Sequence, residues 1–252
     1  MKPIYEIDFS VLNENEKVEF MYDLYDSMEA GFQEIQFPIQ LLAQTLIFTR
    51  WWNSYKYMAP NEPTPQILET AIELLWDFQE EKCDPKTFAR FQKSLSDSAL
   101  EILTGDDSEL NADSESEAFY QRHFQQWDAM SYEVFLSNLC TVLEEAVSQE
   151  ITWDAVEGVV DGDIGDTMID FFETVYKNDS NGYYPSELDQ REKEIYNTPT
   201  FARVIALLQQ DMRTALKRIP LPELRAQYQS EYLFSPEESA KISYQNVQAD
   251  NL

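Results

Sequence analysis

Histidine is almost missing from this chain of 252 residues: it occurs once, at position 123. That scarcity excludes histidine metal cages and most nucleophile–base pairs, in which a neutral imidazole is the usual ligand or base. His123, set among Phe119, Phe124 and Trp127, reads as a packed or half-exposed helix residue. Cys83 and Cys140 are the only cysteines, in no metal or redox spacing, and they read as reduced thiols rather than a disulfide framework. The six glycines build neither a phosphate-cradling loop nor a nucleophile elbow. The densest apolar run, Phe37 to Phe48, is interrupted by glutamines and falls short of a membrane span. The first residues are acidic and lack the apolar core of a signal peptide, so the cytoplasm is the expected compartment. No catalytic residue, metal ligand or cofactor is assigned.

Positive charge is the other shortage. Lysine and arginine total 18 against 47 aspartates and glutamates, a net charge of −29. A surface of that sign repels nucleic acid and anionic membranes and attracts cations or basic proteins. The shortage is concentrated: no lysine or arginine stands between Arg122 and Lys177, where twelve carboxylates run from Asp128 to Glu173. Residues 187–225, by contrast, hold six acids and seven bases. Uniform acidity for solubility or salt adaptation should not spare one segment and load another. The expected partner is therefore a basic protein.

The chain is 43% hydrophobic and 13% aromatic, too apolar to stay disordered despite its charge. Helical spacing dominates and no strand alternation stands out. Asn13 with Glu16 forms a capping box ahead of Val18, Met21, Tyr22, Tyr25, Met28 and Phe32. Pro38 starts a helix through Trp52; of the adjacent Trp51 and Trp52, one should be core and the other at a helix contact or partner surface. Thr64-Pro65, Asp84-Pro85 and Thr198-Pro199 each pair a capping residue with proline at a helix start. The expectation is an all-α, bundle-like single domain over 1–234, of roughly eight helices, with an acidic loop near 104–117 and a loose tail at 235–252.

Glu150, Asp154, Glu157 and Asp161 are spaced four, three and four apart, which stacks them on one side of a helix. A helix is expected over 152–160, then a break at Gly162 and Gly165, then a second helix over 164–176. Glu150, Asp154, Glu157, Asp161, Asp163, Asp166 and Asp170 are the candidate partner-binding carboxylates. Tyr183 and Tyr184, in a polar loop before Pro185, are the candidate aromatic anchors, or else fold back on the core. A calcium loop fails in register: the places for glycine and the closing glutamate hold Asp166 and Phe172. A magnesium-dependent helical hydrolase would need Glu16-x-x-Glu19 and Glu81-x-x-Asp84 to meet, yet both sit at helix starts, where acids cap.

Four stretches resemble a bacterial family of small acidic helical proteins known only as domain of unknown function four-one-six. They are Val18 to Met28, Ala71 to Phe78, Ile164 to Glu173 and the helix after Pro199. The resemblance implies a helical fold and carries no activity. In composition the chain also resembles immunity proteins, small acidic helical inhibitors that cover basic toxins such as nucleases. The functional expectation is a non-enzymatic binding protein of that kind. A housekeeping helical protein and a magnesium-dependent hydrolase are the alternatives.

Overall fold

The computed structural model describes residues 2–57, 66–104, 118–119, 133–158, 160, 193–194 and 196–239, with residues 100–104, 133 and 134 described by backbone alone. The protein is an all-α multi-helix domain, with no strand among the described residues. Two 3₁₀ turns, Ile4–Glu6 and Phe9–Val11, precede α1 (Glu14–Tyr22), α2 (Leu24–Phe32), α3 (Phe37–Tyr55), α4 (Gln66–Gln79) and α5 (Pro85–Thr104). Then come α6 (Glu133–Ser148), the short α7 (Asp154–Glu157), α8 (Pro199–Ala215) and α9 (Leu221–Tyr228).

The caps read from sequence form as expected wherever their residues are described; Thr64-Pro65 lies outside the described residues. The Asn13 side chain accepts from the Glu16 amide at 3.1 Å, and Glu16 returns a bond to the Asn13 amide at 2.8 Å. Asp84 accepts from the Thr87 amide at 3.0 Å and Thr198 from the Phe201 amide at 3.1 Å, each beside its proline. The helix expected to run on from Asn13 to Phe32 instead breaks at Asp23, whose φ −94° and ψ 9° leave the helical region. The break turns Tyr22 outward, 71% exposed, while α2 buries Leu24, Met28 and Phe32.

The fold is built around α3. Every residue from Leu41 to Ser54 is buried, so this helix has no outer face. Its polar residues are distributed around it, and each reaches a different neighbour. Gln44 donates to Glu145 of α6 at 2.6 Å. Thr45 and Thr49 accept from Gln79 (2.6 Å) and Trp76 (3.0 Å) of α4. Arg50 binds Asp211 of α8 through Nε and Nη2, at 2.9 and 2.8 Å. Asn53 donates to the Tyr228 and Glu231 carbonyls, and Ser54 accepts from the Leu233 and Phe234 amides. Burying polar groups without partners would be costly, so these bonds select which helix lies against which side of α3.

Both tryptophans are core, and of the two places expected for the second one, a helix contact or a partner surface, Trp52 takes the helix contact. Trp51 is fully buried against Tyr55 and Phe234, and Trp52 stacks on Phe135 of α6. Adjacent residues cannot share a face, but a helix enclosed on all sides offers each of them a buried one.

Both ends of the described chain are anchored as well. Gln209 of α8 donates to the Ile4 and Ile7 carbonyls, both at 2.8 Å, and Tyr5 donates to the Gly31 carbonyl. At the other end Ser235 and Glu238 form a second capping box, at 2.8 and 3.2 Å, and Ser239 is buried. Packing therefore continues five residues into the segment expected to be a loose tail. The signal was Ser235-Pro236-Glu237-Glu238, a capping-box spacing.

Candidate functional site

The acidic segment enters the structure through the joint between α6 and α7. Glu145, inside the lysine-free stretch, points inward rather than to solvent. It is 4% exposed, accepts from Gln44 with one oxygen, and from the Thr152 amide (2.7 Å) and hydroxyl (2.6 Å) with the other. It thus ties the connector to both α6 and α3. Gln149 and Trp153 on either side take positive φ, 60° and 67°. Such a backbone is strained for a bulky residue and persists only where packing enforces it. Here the Trp153 indole is buried 4.9 Å from the Phe32 ring of α2.

Those two left-handed residues change the expected stripe. Glu150 is exposed but lies in the connector, two residues after α6 ends and four before α7 begins, so it does not stack in helical register with Asp154 and Glu157. Asp154 is exposed on the first turn of α7, where the helix dipole favours an acid, and Glu157 is half-buried at its last residue. Gly158 follows with Asn138 of α6 so close that a Cβ would lie 2.5 Å from its Oδ1. Asp161, Asp163, Asp166, Asp170, Tyr183 and Tyr184 lie outside the described residues, as does His123.

What the structure adds is α2. This helix packs against α7 and brings Asp26 and Glu29, both exposed, toward Asp154 and Glu157. The Tyr25 hydroxyl registers all four: partial burial first, then Asp154, Glu29, Asp26 and Glu157 in that order, hold its pKa above the ordinary phenol value. Among the described residues no lysine or arginine lies within ion-pair distance of Asp26, Glu29 or Asp154. The sequence signal was the outer stripe Asp23, Asp26 and Glu29 at steps of three. Nothing in the sequence, however, links it to a segment more than a hundred residues away.

Two of the four acids weighed for magnesium, Glu16 and Asp84, are used locally. Glu16 closes the α1 capping box and Asp84 caps α5. Among the described residues no group of three His, Cys, Asp or Glu side chains is placed to hold a metal ion, and no helix is long and apolar enough to cross a membrane. Both thiols are protonated at neutral pH: burial raises Cys83, and deep burial raises Cys140 to about 12. Comparison with protein-family models, curated proteins and solved structures finds no match, so the site is read from its own chemistry.

Proposed function

We propose that this chain is a non-catalytic binding protein that docks a basic protein partner through the carboxylates of α2 and α7 and the acidic segment that follows them, as toxin-neutralising immunity proteins do. One observation carries the reading: Asp26, Glu29 and Asp154 converge from distant parts of the chain around Tyr25, without a described cation to neutralise them. Acidity that served solubility alone would have no reason to converge. Elsewhere some cations are engaged: Arg203 pairs with Glu238 at 3.0 Å, and Arg213 donates to the Tyr5 carbonyl. A one-sign patch accelerates encounter with a partner of opposite sign and makes the rate fall with salt.

The test is affinity capture from the source organism with wild type and with an Asp26→Asn/Glu29→Lys/Asp154→Asn variant of equal helicity. Asparagine is chosen at 26 and 154 because each lies on the first turn of a helix, where a cation is unfavourable. The wild type should enrich a basic protein that the variant loses. With that protein purified, the association rate should fall at least about tenfold from low to physiological salt. Capture of no basic protein, or equal capture by the variant, defeats the reading.

A further inference from the structure

A groove of about 620 Å³ opens where the N-termini of α3, α5 and α9 meet the C-terminal ends of α4 and α6. Its walls are Phe37, Ile39, Phe78 and Leu221, all half-buried, and its floor is Leu41 and Leu42. That volume lies in the range of pockets that enclose a ligand of several side chains' size.

Its charge is one-sided. Of the residues that line it, Glu81 is the one acidic or basic side chain of the Asp, Glu, Lys and Arg kind. Glu81 and Gln149 are the left-handed residues beyond α4 and α6, with φ 56° and 60°, so two helix C-termini present their negative ends at the rim. The three N-termini offer an anion little, because Pro38, Pro85 and Pro222 each remove an N–H from a first turn, and Asp84 already caps α5. Gln149 is followed directly by exposed Glu150, the first of the candidate docking carboxylates. The neighbouring Lys82 is turned onto Glu80.

We propose that this groove receives a large apolar side chain from a lysine- or arginine-rich segment of the basic partner, whose cationic neighbours then meet Glu81 and Glu150. The inference rests on the docking reading and adds to it the apolar anchor that acidic residues alone cannot supply. Charges set encounter rate and orientation, whereas a buried apolar or aromatic anchor sets residence time.

The direct test uses the full chain and three acetylated peptides of equal length: two phenylalanines flanked by lysines, the same pair flanked by glutamates, and two serines flanked by lysines. The lysine–phenylalanine peptide should shift the Leu41, Leu42 and Leu221 methyl resonances, and the other two should not. Ile39→Arg, which puts a cation in the wall, should weaken that binding by at least about tenfold, and Glu81→Asn by about threefold. Asparagine tolerates the left-handed backbone, so the second variant should keep its fold even if the first loses stability. Absence of shifts, equal binding of the glutamate peptide, or affinity unchanged in both variants overturns the proposal. The two readings separate in the capture experiment. A basic partner held equally by wild type and Ile39→Arg removes the groove and leaves the acidic edge standing. Peptide binding with no partner captured removes the docking reading instead.

Discussion

The guanidinium of Arg50 sits in the interior at 1% exposure, and its surroundings are arranged to keep its charge. Asp211 takes two of its N–H groups, Glu231 a third, and the Tyr228 ring lies 5.2 Å from its centre. Breaking such a pair by removing one member strands the other charge, which costs several kcal/mol, although the intact pair contributes little net stability. Tyr228 closes the network by donating to Asp211. Burial first, and then the Asp211 carboxylate, hold its pKa far above the ordinary 10.0. The sign follows from linkage. Below pH 10 both folded and unfolded states keep the proton and the full contribution is present. Above it only the unfolded state releases the proton, so stability is lost as pH rises. Tyr228→Phe should therefore cost about 1–3 kcal/mol at neutral pH through the lost hydrogen bond to the buried Asp211 carboxylate, which keeps only its Arg50 contacts. The gap between wild type and variant, measured by urea denaturation, should narrow steadily from pH 10 upward. A gap independent of pH would mean that the hydroxyl is not bonded as described.

At the scale of elements, the joint between α6 and α7 decides where the exposed carboxylates point. Glu145 holds Thr152 against α6 and Gln44 of α3 with three hydrogen bonds, and Trp153 fixes the turn by burying its ring on α2. Glu145→Ala should cost about 1–3 kcal/mol, because it leaves the buried Gln44 donor unpaired and frees the Thr152 turn. It should also weaken partner capture more than Glu144→Ala, which removes the same charge from an exposed position of α6. Denaturation and capture of the two variants side by side would check both expectations, and equal capture would show that the joint does not orient the acids. The same elements show what can be read from a single chain. Caps such as Asn13–Glu16, Asp84-Pro85 and Thr198-Pro199 were legible because their chemistry is contained within four residues. The enclosure of α3 was not, since periodicity assumes a solvent side that this helix lacks. The inward turn of Glu145 was not legible either: it depends on Gln44, a hundred and one positions earlier in the chain. Glu150 seemed continuous with Asp154 only because spacing cannot register two left-handed residues between helices.

Over the whole molecule the net charge of −29 works against compactness, since folding brings like charges closer than they stand in the unfolded chain. The effect is carried by exposed groups and falls off over a screening length of about 10 Å at 0.1 M salt and about 3 Å at 1 M. Added sodium chloride should therefore raise the melting temperature. Chloride is the right anion here, because sulfate would strengthen apolar burial by exclusion and imitate the effect. The buried Arg50–Asp211 pair is shielded from the solvent ions and should offset little of this gain. Replacing Asp26, Glu29 and Asp154 as in the docking variant removes part of the repulsion, so its melting temperature should start higher and rise less steeply with salt. Partner association must move the other way, weakening over the same salt range. Melting temperatures of the two proteins from about 0.01 to 1 M sodium chloride, set beside association rates, test this opposition. A wild-type melting temperature that stays flat or falls with salt would mean that the acids are already neutralised within the fold, and the exposed surface would then have no unspent charge to offer a partner.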